Sequence, residues 1–216
     1  MNKQHLQSTS MNSILHEMVK KYELTEHQLS QFQSYLTLLI DWNEKFNLTA
    51  LVEPLDVVFY HFLDSLSLIE AVEGNVIHAL CDVRTGAGFP GIPLKIMYPD
   101  LNLVLIEVNG KKRLFLEHII RVLGLRDVII YAQDWRTFLR KTHYSVEYVC
   151  ARASLQPEEL VRMLTSESPY KKATLVYWAS LDWRANKHVS HYMHKEFAYE
   201  VGTKKRKLVF FTIQDK

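Results

Sequence analysis

The residues with the most evident chemistry lie in one run, Asp82-Val83-Arg84-Thr85-Gly86-Ala87-Gly88-Phe89-Pro90-Gly91. Glycines at this density let a chain turn tightly and bring its amides against a ligand with no Cβ in the way. An apolar run at residues 76–83 precedes the segment and a helical pattern at 93–98 follows it. It therefore reads as a strand-to-helix turn, which in an open parallel sheet lies at the carboxyl edge where ligands bind. The next apolar run, residues 101–107, ends in Glu107. A carboxylate at that place can accept hydrogen bonds from both hydroxyls of a ribose. The alternative is a tight turn that holds nothing.

Loop and acid together suit either a dinucleotide or S-adenosylmethionine (SAM). The second glycine of a dehydrogenase GxGxxG fingerprint is placed differently here, which disfavours the dinucleotide. Two basic clusters can neutralise phosphates, Lys111-Lys112-Arg113 and Lys204-Lys205-Arg206-Lys207. Their alternative reading is a solvated helix start and a polar turn.

The elements that must position these residues fall into two regimes. Residues 13–73 contain no glycine and follow a helical pattern, with Leu29, Phe32, Leu36, Leu39 and Ile40 on one stripe. Thr25 and Gln28 form a capping box at its start. Asn47-Leu48-Thr49 breaks the helix, Pro54 opens another that runs to Glu70, and Gly74-Asn75 marks a boundary. The expected division is a helical segment, 1–74, and a ligand-binding domain, 75–216. In the second part strands are expected at 76–83, 101–107, 128–131, 146–151 and 173–178. Helices are expected at 93–98, 111–124, 157–166 and 181–194, then two strands, 197–201 and 207–213, around a turn at 202–205. Such alternation implies an α/β, Rossmann-like, mostly parallel seven-stranded sheet covered on both faces, with an antiparallel hairpin at its edge.

Composition narrows the class. Of 216 residues 48% are apolar and 23% charged, as in a soluble globular chain, and the net charge is only +2. Cys81 and Cys150 each sit in a strand pattern and read as buried thiols of a reducing compartment. The ten histidines are scattered, without metal-ligand spacing, so no metal is expected. Residues 1–12 are polar and lack the apolar core of a signal peptide, and no run is long enough to span a bilayer. A cytoplasmic protein without membrane partners is expected.

Several further motifs carry a resemblance. Trp42-Asn43, Asn47-Leu48-Thr49, His61 with Asp64-Ser65-Leu66, Thr85-Gly86-Ala87-Gly88-Phe89-Pro90-Gly91-Ile92-Pro93-Leu94, Lys111-Lys112 with Phe115-Leu116, Arg152-Ala153 and Arg206 together resemble the RsmG (GidB) family. These are 16S ribosomal RNA guanine-N7 methyltransferases, and the resemblance runs from Leu24 to Ile213. It implies a class I SAM methyltransferase, acting as a monomer on small-subunit rRNA or on the assembling small subunit. By that match the cofactor would meet Asp82, Arg84, Thr85, Gly86, Gly88, Phe89, Glu107, Trp135 and Arg136, with the last two beside the adenine. Asn43, Asn47, His61, Asp64, Lys111 and Lys112 would shape the RNA side; the alternative for the first four is structural, with Asn47 making a turn and His61 and Asp64 a local hydrogen-bonded brace. Arg152, after the fourth strand, would be the catalytic arginine that holds the guanine edge or a phosphate.

Three positions depart from the family pattern. Arg84 replaces a glycine in the turn nearest the methionine end of SAM. Asp134-Trp135-Arg136 exchanges the charges of an Arg-x-Glu, and Tyr177-Trp178-Ala179-Ser180 stands where a strand ends in Lys-Gly. The reading from a different class is accordingly an RNA- or ribosome-binding protein whose SAM site has decayed. Methyl transfer to a substrate other than rRNA is a third.

Overall fold

The computed structural model describes residues 14–152, 155–165 and 167–213. The polar run 1–12, the helical start at Ser13, Ala153 beside Arg152 and the expected helix end at Ser166 lie outside them.

Helix α1 occupies residues 14–22, and α2 spans Glu26–Phe46. Both halves of the capping box form, with the Gln28 amide donating to Thr25 Oγ1 and the Thr25 amide to Gln28 Oε1. Asn47 ends α2 in the left-handed conformation (φ 50°), which short polar side chains tolerate best after glycine. The apolar stripe buries Phe32, Leu36 and Leu39 as expected, and Tyr35 joins them. The helix expected from Pro54 has three parts. They are α3 (Pro54–Val57), a π-helical turn (Val58–Leu63) and α4 (Asp64–Ala71). The widening shows where the Asp64 amide reaches the carbonyl of Phe59, five residues back.

The seven strands are β1 (Ala79–Val83), β2 (Asn102–Ile106), β3 (Val128–Tyr131), β4 (Tyr148–Arg152), β5 (Thr174–Ser180), β6 (Met193–Val201) and β7 (Lys204–Thr212). Their order across the sheet is β3-β2-β1-β4-β5-β7-β6, parallel through β5 and antiparallel in β7 and β6. Side chains alternate between faces. Leu80, Leu103 and Leu105 face one core with α2, α4 and the following helices α5 (Gly91–Met97) and α6 (Gly110–Val122). Cys81, Val83, Val104 and Ile106 face the other with α7 (Trp135–Lys141) and α8 (Pro157–Thr165). Crossovers run from β1 to β2 on one side and place β4 on the other, so the ends of β1 and β4 flank the switch point of the sheet.

One expected element is corrected. Residues 181–194 form turns and a short 3-10 helix, Ser190–Tyr192, not a helix. Local side-chain bonds compete with helical ones there: Arg184 Nη1 donates to the carbonyls of Leu181 and Trp183, and Asn186 Oδ1 accepts from the His188 amide. Strand β6 consequently starts at Met193 instead of 197. Among the described residues no helix is long and apolar enough to cross a membrane.

Candidate functional site

The turn after β1 folds back on Asp82. Its Oδ2 accepts from Thr85 Oγ1 at 2.6 Å and from the Gly91 amide at 2.8 Å, which ties both ends of the loop to one carboxylate. Gly88 (φ 103°) has no room for a side chain, because a Cβ would lie 2.6 Å from Ile92 Cδ1 and 2.7 Å from Tyr35 Oη. That hydroxyl donates to the Ala87 carbonyl at 2.6 Å, so α2 holds the loop from behind. Arg84 takes the left-handed backbone (φ 56°) and its side chain is exposed. The loop thus keeps the shape a glycine would give it.

Across the loop, Glu107 follows β2 and is buried. Its Oε2 accepts from the Gly86 amide at 3.0 Å and its Oε1 from the Asn109 amide at 2.8 Å. Asn109 then caps α6, and Lys111 and Lys112 occupy the first turn. Lys112 Nζ stands 4.0 Å from where a Cβ on Gly86 would be. Asp82 Oδ1 is the one buried side-chain oxygen without a partner among the described residues. Burial raises the Asp82 carboxyl to about 6 against the pull of its Thr85 and Gly91 bonds. A buried acceptor left open beside glycine amides and an acid suits a ligand with a cationic group and a ribose.

The turn after β3 carries the two residues expected beside the adenine, Trp135 and Arg136. The Trp135 indole is buried in the sheet core with Phe138 and Ile106. Arg136 lies across that indole at 4.5 Å and pairs with Glu159 at 2.9 Å, while Asp134 caps α7 through the Arg136 amide. The exchanged charges therefore serve a cap and an ion pair.

Next to the loop lies a polar network centred on Asp64, whose side chain is fully buried. Asp64 Oδ2 accepts from Arg152 Nη1 at 3.0 Å and Arg206 Nη1 at 3.1 Å, and Oδ1 accepts from the Tyr199 hydroxyl at 2.7 Å. Its backbone carbonyl accepts from the Trp178 indole at 2.9 Å, so the end of β5, one of the three departures from the family pattern, closes this network. Arg152 also donates to the Tyr60 carbonyl at 2.8 Å and to His61 Nδ1 at 2.7 Å, and lies 5.3 Å from the centre of the Phe89 ring. Arginine only donates, so His61 Nδ1 accepts and Nε2 carries the proton toward Thr49 Oγ1 at 2.8 Å. The His61 ring stacks on Phe89 at 4.2 Å. Asn43 Oδ1 receives the Thr49 amide, so Asn43 and Asn47 brace the turn that carries Thr49.

Sequence reasoning named Asp64, His61, Arg152, Arg206 and Trp178, the last only as a departure from the family pattern, but missed Tyr35, Tyr60 and Tyr199. The hairpin register supplies one missed signal, since Tyr199 and Arg206 are direct cross-strand partners. Counting outward from the Gly202-Thr203 turn pairs them.

Two buried groups give a pH signature. Burial, then the Arg152 charge, lowers the His61 pKa from 6.5 to about 2. The unfolded chain therefore takes up this proton first, and stability is lost as pH falls from about 6.5 toward about 2. Asp82 acts in the opposite sense, because its folded pKa of about 6 lies above the ordinary 3.8 and stability rises as pH falls between them. Each slope is about 1.4 kcal/mol per pH unit, so the two oppose between about pH 4 and 6. Relative to wild type, His61→Gln should gain stability as pH is lowered through that window in urea titrations. Parallel profiles for the two proteins would show that His61 is not held neutral.

Comparison with known proteins adds to this geometry. The family model described as GidB, rRNA small subunit methyltransferase G, matches residues 28–208. The chain is 36% identical over 196 residues to Ribosomal RNA small subunit methyltransferase G of Lachnoclostridium phytofermentans, covering 89% of this chain and 78% of that protein. It is 39% identical over 160 residues to the protein of that name from Geobacillus kaustophilus, covering 73% and 66%. Among solved structures it is similar to a SAM dependent methyltransferase from Aquifex aeolicus, with 15% identity, TM-score 0.53, and coverage of 74% of this chain and 93% of that one. MtNAS in complex with MTA and tNA is similar at 15% identity and TM-score 0.58, over 95% and 78%. At these identities the solved structures speak to the fold.

Proposed function

This chain belongs to the rRNA small subunit methyltransferase G family, and on that premise we propose that it transfers the methyl group of SAM to N7 of a guanine in 16S rRNA. The observation that carries the reading is the Asp82–Gly91 loop facing Glu107, with Asp82 Oδ1 open, directly beside the Asp64–Arg152 network. Asp82, Thr85, Gly86, Gly88, Phe89 and Glu107 would hold the cofactor. Bound SAM supplies a methyl group on a positively charged sulfur, already activated for transfer.

Guanine N7 carries a free lone pair, so no side chain has to remove a proton. His61 fits that demand, since both of its nitrogens are engaged and it is neutral at working pH. The work left to the protein is alignment. Arg152 spends three of its five N–H donors on Tyr60, Asp64 and His61, which fixes the guanidinium plane. Among the described residues nothing takes the Nε–H and the second Nη2–H, which would be the donors for a guanine edge or a phosphate. The substrate would be met in the cytoplasm, as rRNA or as the assembling small subunit, by a monomer.

The direct test is to incubate the protein with methyl-labelled SAM and unmodified small subunits, digest the RNA and chromatograph its nucleosides. Label in 7-methylguanosine is expected; label in another nucleoside, or none despite SAM binding, would overturn the assignment. The decayed-site reading turns on Arg84. Its left-handed backbone costs about 1 kcal/mol, and glycine would return about that much as chain entropy in the unfolded state. Arg84→Gly should therefore leave stability within about 0.5 kcal/mol and SAM affinity within about threefold, measured by calorimetry. A tenfold or larger gain in affinity would mean that the arginine side chain obstructs the cofactor.

A further inference from the structure

In sequence, Lys204-Lys205-Arg206-Lys207 offers four charges to phosphates, but the structure divides them. Lys205 pairs with Glu200 at 3.4 Å, Arg206 with Asp64 at 3.1 Å and Lys207 with Glu196 at 2.7 Å. Lys204 meets no carboxylate among the described residues, and its ammonium sits 4.0 Å from the centre of the Tyr60 ring. That ring is itself fixed. The Tyr60 hydroxyl contacts Thr203 Oγ1 at 3.0 Å and accepts from the Thr203 amide at 3.4 Å. Gly202 (φ 56°) lets the hairpin tip close onto it, because a Cβ there would come within 2.9 Å of the hydroxyl. From the other side the Tyr60 carbonyl receives Arg152 Nη1 at 2.8 Å.

The local charge points the same way. One carboxylate, Asp64, is shared by two guanidiniums, Arg152 and Arg206, and His61 between them and the loop is neutral. The arginines that meet at Asp64 therefore carry one positive charge more than that carboxylate, and the Lys204 ammonium lies on the Tyr60 ring beside them, with Asp56 the carboxylate that bears on that ring.

We propose that Lys204, seated on the Tyr60 ring, contacts an RNA phosphate flanking the target guanine and so fixes where the RNA backbone enters the cleft. The inference rests on the rRNA methyltransferase reading. Tyr60 acts as a positioning residue: it holds one side of the ammonium and leaves the other donors to the phosphate.

The test measures binding of the full chain to a small-subunit rRNA fragment between about 50 and about 200 mM salt, with SAM calorimetry in parallel. Lys204→Gln should lower the slope of log affinity against log salt by about 0.7 to 0.9 and weaken binding about threefold to tenfold. Lys205→Gln, whose charge is already paired, should change affinity less than about twofold. Tyr60→Leu keeps the charge and loses its seat, so affinity should fall while the salt slope stays. SAM affinity should be the same in all three. Equal effects of Lys204→Gln and Lys205→Gln, or a loss of SAM affinity in Lys204→Gln, would overturn the contact. If the wild-type chain methylates rRNA and Lys204→Gln binds it normally, this contact alone fails. If the wild-type chain neither binds nor methylates rRNA, the functional reading fails and takes the contact with it.

Discussion

Asp64→Ala should cost about 3 to 5 kcal/mol of unfolding free energy, because it leaves two guanidiniums facing one another with nothing between them. The side chains of Asp64, Arg152 and Arg206 are 0%, 9% and 19% exposed, so water cannot replace the lost carboxylate without opening the structure. The Tyr199 hydroxyl loses its acceptor as well. Surface pairs such as Lys205–Glu200 contribute at most about 1 kcal/mol, so a loss of that small size at Asp64 would show the network to be decorative. Arg206→Leu in the same chain should recover part of the deficit by removing one of the stranded charges. Denaturant midpoints at constant m-value are the measurement. Methyl transfer should fall further than SAM binding, since Asp64 touches Arg152 and not the glycine loop.

Gly88→Ala should affect the cofactor first. The substitution asks alanine to adopt φ 103° and pushes its Cβ into Ile92 and the Tyr35 hydroxyl. Backbone strain of about 1 to 3 kcal/mol and overpacking of similar size both apply. Relief is possible only by moving the loop off α2, which breaks the Tyr35 bond to the Ala87 carbonyl. SAM affinity is expected to drop at least tenfold, with a loss of stability of about 2 to 5 kcal/mol. Affinity within twofold of wild type would mean that the loop does not hold the cofactor. Gly124→Ala is the control. It shares a positive φ (64°), but nothing lies within 4 Å of its would-be Cβ, so it carries the strain without the collision.

Much of this molecule is legible in the sequence for a physical reason: its informative signals are local. The Thr25–Gln28 capping box, the glycine turn between β1 and α5 and the acid closing β2 each depend on residues a few positions apart. The expected strands match the sheet to within a few residues at each end, because strands of a parallel sheet are buried on both faces and read as apolar runs. The network around Asp64 was only half visible. Its partners stand 88 to 142 residues away, and Tyr199 and Trp178 look in sequence like ordinary core aromatics. Residues 181–194 misled because their polar side chains bond to their own backbone, an outcome that hydrophobic spacing does not register. The basic run at the hairpin failed in a subtler way. Charge is visible in sequence, but compensation by Glu200, Asp64 and Glu196 is not.

The π-helical turn at Val58–Leu63 bears on how this protein can diverge. Such a turn holds one residue more than the α-helix would use, so a one-residue deletion there could be absorbed as regular helix with no loss of length elsewhere. Because the wide turn closes with an i→i+5 bond where the α-helix closes with i→i+4, the helices on either side would keep their phase, and the change would be confined to the turn itself. Tyr60 and His61, which meet Arg152 from this turn, would be re-aimed, while Asp64 in the following helix keeps its place against Arg152 and Arg206. The extra residue is thus a device for placing Tyr60 and His61, separable from the helix that carries the buried carboxylate.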